Sequence, residues 1–189
     1  IEGIGRDHAT NVRPGTDGAL ALGLANVIVN ERLYHEGFVS GQCFGFEDWQ
    51  DQSGKKHTGF KALVLRDYSP AAVSRITGVA EGTIIRLARE FARYQPSLAL
   101  GGRGAGGHTN GIYNEWAVHC LNALMGNFGN PGGIQERRAP SFASWPEARK
   151  DQTASSGLAQ PRLDKAGSPQ YPLATSVGRA FTESLQSGA

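Results

Sequence analysis

The run GALALGLANVIVN, residues 18–30, is apolar on nearly every face. A helix with no polar side has nothing to offer water, so it is buried all round. In a chain of 189 residues, 39% of them hydrophobic, that demand dominates the fold. The helix must sit between layers of its own chain, or against a neighbour outside it. Val12, Arg13, Pro14, Gly15, Thr16 and Asp17 precede it and read as a strand end turning into the helix. Thr16 or Asp17 is placed to cap it, because a short oxygen-bearing side chain accepts from the free N–H groups of a first turn.

A second helix is expected over residues 31–39. Residues 41–58 are mixed, and DQSGKKH reads as a loop. In YSPAAVSRITGVAEGTIIRLAREFARYQ, Ser69 caps a helix and Pro70 takes its first position. Gly78 breaks that helix. The next one aligns Ile84, Leu87, Ala88, Phe91 and Ala92 on one face. Pro96 ends it, residues 97–100 read as a short apolar strand, and a last helix spans residues 113–125 before the turn-rich GNFGNPGG. From Gln135 onward the periodicity fades and five of the nine prolines gather, the mark of extended chain. The element order gives an α/β fold: a three-layer, Rossmann-like domain with a mostly parallel sheet over residues 1–134, plus an extended C-terminal tail over residues 135–189.

Nineteen Lys and Arg against 17 Asp and Glu leave a net charge of +2, too balanced for a dedicated nucleic-acid or membrane surface. The apolar run 19–29 is shorter than the roughly 20 residues that span a bilayer. Cys43 and Cys120 form no C-x-x-C pair, so this chain alone builds no zinc or iron–sulfur cage. They read as buried reduced thiols, with one disulfide between them left open. The opening IEGIGRDHATNV has no initiator Met and reads as a processed protein or a piece of a longer one.

Between the expected strand and the last helix lies LALGGRGAGGHTNG, in which Gly102, Gly104 and Gly107 match G-x-G-x-x-G. Such a loop lets backbone approach a ligand and turns helix N–H groups toward an anion. A nicotinamide site also needs an acidic residue about 20 positions on for the ribose hydroxyls. Residues 117–135 contain no Asp or Glu, so a nicotinamide dinucleotide is disfavoured.

Four stretches, RPGTDGALALGLANVIVNERLYHEGFV, YSPAAVSRITGVAEGTIIRLAREFA, GGRGAGGHTNG and LNALMGNFGNPGG, stand in this order across residues 12–134. Together they resemble the signatures of the molybdopterin oxidoreductases of the dimethyl sulfoxide reductase family. In the tail, PRLD and YPL resemble the branch that handles thiosulfate, polysulfide and tetrathionate. The resemblance implies an interior domain of a longer catalytic subunit. Its cofactor is bis(molybdopterin guanine dinucleotide) carrying molybdenum or tungsten. In the family the Asp of PGTD contacts guanine, which here is Asp17, and a carboxylate suits guanine because its two acceptors match two adjacent N–H donors. Gly15 and Thr16 would shape the turn that aims it. Gly102 and Gly104 would permit close approach of the pterin or pyrophosphate, Arg103 would neutralise a phosphate, and His108 and Thr109 would point toward the pterin.

The family's metal ligand and 4Fe-4S cysteines fall outside the matching stretches, so neither cysteine here is assigned to a metal. The implied partners are the remainder of the catalytic subunit and the iron–sulfur and membrane-anchor subunits, with no nucleic acid. The implied location of the parent is periplasmic or membrane-associated. Two other readings stand beside this one. SRITGVAEGTI mimics a helix-turn-helix that would present Glu81, Thr83 and Arg86 to DNA. The same fold would also serve as a structural or interaction module without activity.

Overall fold

The computed structural model describes residues 10–136, 141–144 and 146–188. The chain divides into two units, Ile1–Arg138 and Ala139–Ala189.

In the first unit the apolar run forms α1 (Asp17–Asn30), and the chain wraps it as its composition demands. It packs against α3 (Phe60–Asp67), α4 (Pro70–Thr77), α5 (Glu81–Arg93) and α7 (Gly111–Leu124). Ala25 and Ile28 are fully buried, with Ala21, Val27 and Val29 nearly so. Close crossing is possible because α1 carries glycine at the contact: a Cβ on Gly23 would stand 2.8 Å from a Val73 methyl. The one amide on this helix's buried side is satisfied, since Asn26 Nδ2 donates to the Val64 carbonyl at 2.8 Å.

The helix pair follows its local signals. Ser69 Oγ accepts from Ala72 N at 3.3 Å, Pro70 opens α4, and Gly78 ends it in the left-handed region at φ +78°. In α5, Ile84 and Ala88 are buried, and Phe91 and Ala92 pack on the main core. Its outer face is committed within the chain: Arg86 pairs with Glu90 and Arg89 with Glu31, each at 2.8 Å.

Other segments depart from the sequence-based expectations. Residues 31–35 form a turn, with Arg32 left-handed at φ 54°, and α2 spans Glu36–Gln42. His35 caps α2 through Nδ1, which accepts from Phe38 N at 3.0 Å. The expected loop contains a small antiparallel hairpin, β1 (Trp49–Gln50) with β2 (Lys56–His57). Its turn is organised by Asp51, which accepts from Ser53 N, Ser53 Oγ, Lys55 N and His57 Nε2 at 2.6–3.0 Å. The His57 hydrogen bond first, then that of Ser53, hold the Asp51 carboxyl at about 2, below its ordinary 3.8. A depressed acid stabilises the fold above its unfolded value and loses that effect as pH falls through its folded one. The hairpin is therefore expected to loosen between about pH 4 and pH 2. The indole of Trp49, stacked on His57 at 4.2 Å, reports this by NMR. An unchanged indole signal down to pH 2 would contradict it.

Cys43 and Cys120 are free thiols, and burial raises both. They line one apolar cavity of about 230 Å³ with Phe46 and Phe60.

Residues 97–100 join no ladder. Their pairing partner is a side chain. Asn122, fully buried on α7, accepts from Ala99 N and donates to the Ala99 carbonyl, both at 2.8 Å. Among the described residues no parallel sheet forms; the regular strands are β1 and β2, with one isolated parallel bridge between Phe128 and Ile134.

In the second unit, residues expected as extended chain include two helices, α8 (Gln152–Leu158) and α9 (Gly178–Gln186). Asp151 caps α8 by accepting from Ala154 N at 2.7 Å. Within the PRLD stretch Arg162 pairs with Asp164 at 2.7 Å, and the Leu163 carbonyl accepts from Ser184 Oγ of α9 at 2.7 Å. No helix among the described residues is long and apolar enough to cross a membrane.

Candidate functional site

The PGTD turn is built before α1 begins. Thr16 N donates to the Arg13 carbonyl at 3.1 Å, and Gly15 is left-handed at φ +79°. Pro at the second position and Gly at the third are what a type II turn requires. Arg13 anchors the turn from below. Its N–H donates to the Thr77 carbonyl at 3.0 Å and Nη1 to the Arg75 carbonyl at 2.9 Å, which closes the end of α4.

The expected cap is not made by either candidate. Thr16 occupies the cap position, but its hydroxyl donates to the Arg13 carbonyl at 2.7 Å. Asp17 is the first helical residue, and its carboxylate makes no hydrogen bond among the described residues. The cap comes from 96 residues away: Asn114 Oδ1 of α7 accepts from Gly18 N at 3.2 Å. Asp17, half-buried, thus caps nothing.

The glycine loop lies on the same end of α7. Gly102 N donates to Glu115 Oε1 at 2.9 Å. A single helical turn, α6 (Arg103–Gly106), follows. Ala105 is buried, and its carbonyl accepts from Asn114 Nδ2 at 3.0 Å.

Among the loop's glycines, Gly101 and Gly106 face the Glu115 side chain, and the other four divide in two. A Cβ on Gly111 would stand 1.9 Å from the Gly106 carbonyl oxygen, and one on Gly107 would stand 2.6 Å from that of Arg103. These two are fixed by the chain's own backbone. A Cβ on Gly102 or Gly104 would meet nothing within 4 Å. Nothing in the described chain needs glycine there, and the space above both is open. Arg103, His108 and Thr109 are exposed around that space, and Arg103 forms no ion pair among the described residues.

The two motifs meet. The His108 imidazole lies against Gly15, where a Cβ would stand 3.4 Å from Cγ. Asn114 ties Gly18 to Ala105 beneath that contact. The two joined motifs together carry a carboxylate without a hydrogen bond, an exposed guanidinium, an imidazole, a threonine and two unobstructed glycines. Such a face suits a long, anionic ligand with a hydrogen-bonding base: open glycines admit it closely, and Arg103 offsets phosphate charge. Clefts of about 540 and 610 Å³ lie elsewhere, beside the hairpin and beside α2, and contain none of these residues. No cluster of three or more His, Cys, Asp or Glu able to hold a metal ion occurs among the described residues.

Asn114 and Glu115 escape a motif search. Their signal is an amide and a carboxylate side by side in a largely apolar helix, GIYNEWAVHCLNAL. Polar groups in such a helix need partners when buried.

No protein-family model matches the chain. Over 149 residues it is 36% identical to dimethyl sulfoxide reductase DmsA of Escherichia coli (strain K12), covering 75% of this chain and 18% of that protein. Over 174 residues it is 29% identical to the molybdopterin-containing subunit ArrA of an arsenate respiratory reductase of Chrysiogenes arsenatis, covering 85% and 20%. The chain belongs to the molybdopterin oxidoreductases of the dimethyl sulfoxide reductase family. Among solved structures of similar proteins, acetylene hydratase from Pelobacter acetylenicus matches it with a TM-score of 0.54 at 34% identity, covering 63% of this chain and 15% of that one. The chain spans about a fifth of the length of the curated relatives it matches.

Proposed function

We propose that this chain forms one wall of the cofactor cradle in a longer molybdopterin-dependent subunit, where it holds a guanine dinucleotide arm of bis(molybdopterin guanine dinucleotide). Asp17 reads the guanine N–H edge. Gly15 and Thr16 set the turn that aims it. Gly102 and Gly104 admit the pyrophosphate or pterin, Arg103 neutralises a phosphate, and His108 and Thr109 face the pterin. When bound, the group supplies a molybdenum or tungsten centre that exchanges two electrons and an oxygen or sulfur atom with substrate. The chain's own residues bind and orient; none of them is assigned a chemical step.

The observation that carries this reading is the meeting of two distant motifs. His108 rests on Gly15, the Asp17 carboxylate makes no hydrogen bond among the described residues, and a Cβ on Gly102 or Gly104 would meet nothing within 4 Å. A loop that served only as a turn would explain Gly107 and Gly111. It would leave Gly102, Gly104 and the Asp17 carboxylate without a reason.

The parent enzyme is proposed to act on sulfur oxyanions or polysulfide, from the PRLD and YPL stretches of the tail. The names of two relatives, for arsenate and for dimethyl sulfoxide, support oxygen transfer as the class. Iron–sulfur and membrane-anchor subunits are proposed partners, with 4Fe-4S held outside this chain and a periplasmic or membrane-associated location. The three-layer, Rossmann-like α/β architecture of residues 1–134 is likewise proposed, its parallel sheet lying outside the described strands.

A second reading, a protein-docking module, rests on α7. Ile112, Tyr113 and Trp116 are each about 60% exposed on one stretch of its surface. The two readings separate on the purified full-length subunit. The cradle reading predicts molybdenum or tungsten together with guanosine monophosphate released by acid hydrolysis of the cofactor. Metal without guanine nucleotide would remove the role given to Asp17, and neither would leave docking alone.

A further inference from the structure

Asn114 is 8% exposed and makes two hydrogen bonds in opposite senses. Its Oδ1 accepts from Gly18 N on α1, and its Nδ2 donates to the Ala105 carbonyl in the glycine loop. A primary amide accepts through one atom and donates through another, so it can bridge two separate backbone groups at once. A carboxylate only accepts, and an aliphatic side chain does neither. The space is closely fitted: a Cβ on Gly18 would lie 2.3 Å from Oδ1 and 3.0 Å from the Asn114 Cα. Gly18 directly follows Asp17, and Ala105 directly follows Gly104. One side chain thus spans the residues next to the proposed guanine contact and the proposed point of close approach. Glu115 adds a brace behind it through Gly102 N.

We propose that Asn114 is a positioning residue that fixes the PGTD turn and the glycine loop in register, so that one dinucleotide engages both at once. The inference rests on the cradle reading above. Two contacts on one ligand reinforce each other only when geometry lets both form together. Asn114 touches no proposed ligand atom; it sets whether the two contacts are simultaneous. Its loss therefore weakens cofactor retention and also shrinks what Asp17 contributes, because a ligand held at one end gains little from the other.

The test uses the full-length subunit with Asn114→Asp, Asn114→Ser, Asp17→Ala and the paired variants. The readouts are metal per polypeptide, thermal stability and amide hydrogen exchange. Asn114→Asp keeps the acceptor for Gly18 and loses the donor for Ala105. It is expected to keep residue 18 protected, to speed exchange over residues 105–107, and to lower cofactor retention about tenfold. Asp17→Ala is expected to cost several times less in either Asn114 background than alone. Equal costs in both backgrounds, or full retention in Asn114→Asp, would overturn the positioning role. Full retention in Asp17→Ala alone would overturn the cradle reading beneath it. If neither Asn114 variant accumulates folded, exchange in the wild-type protein decides. Segments 15–18 and 101–110 opening in one step support the clamp, and independent opening refutes it.

Discussion

Asp17→Ala in the full-length subunit is expected to give folded protein that has lost most of its cofactor. The carboxylate caps nothing, since Gly18 N is satisfied by Asn114. Its contribution to the fold is limited to favourable charge at the start of α1, at most about 1 kcal/mol. The contribution to binding is larger. A bidentate pair between a carboxylate and two guanine N–H groups consists of charge-assisted hydrogen bonds, each about 1.5–3 kcal/mol. Losing both lowers affinity about a hundredfold or more. The prediction is thus a large fall in metal and guanine nucleotide content with an almost unchanged melting temperature. Asp17→Asn is the matched control: it keeps the shape but replaces one acceptor with a donor, and it should lose cofactor nearly as fully. Unchanged metal content in both variants would remove the guanine assignment.

The second large effect separates the two groups of glycines. Gly104→Val places two methyl groups where a Cβ meets nothing within 4 Å. The domain should fold with a melting temperature near that of the wild type, yet load little cofactor, because the added side chain fills the space a ligand needs. Gly111→Ala is the opposite case. Its Cβ would stand 1.9 Å from a backbone oxygen, and such overpacking costs about 1–3 kcal/mol, sometimes more. That variant should lose stability first and cofactor as a consequence. Calorimetry beside metal analysis distinguishes the two. A fully loaded Gly104→Val protein would mean the loop is only a turn.

Much of the helical framework was legible because its signals are local. The all-apolar α1 demanded burial and is wrapped by four helices. Ser69, Pro70 and Gly78 bounded α4 by their own chemistry. What was not legible depends on partners far along the chain. Nothing near Asp17 shows that its helix is capped from Asn114, 96 residues on. An apolar run at residues 97–100 reads as a strand whether its backbone is met by another strand or, as here, by the Asn122 amide. The start of α2 was displaced because His35 caps it, and histidine is not among the usual capping residues. The hairpin strands are two residues each, too short to show alternation.

The candidate site divides in the same way. The residues proposed to face the ligand were read from motifs: Gly15, Thr16, Asp17, Gly102, Arg103, Gly104, His108 and Thr109. The structure brings the two motifs together at Gly15 and His108. The residues behind the motifs, Asn114 and Glu115, belong to no motif and become visible only once α7 is seen beneath both.

An experimental structure of the cofactor-loaded full-length subunit tests directly whether this face is a cofactor wall. The account predicts one guanine with its N–H edge about 3 Å from the Asp17 carboxylate, and the same dinucleotide running over Gly102 and Gly104 toward His108. A structure in which no guanine touches Asp17 and the glycine loop faces only protein would contradict it.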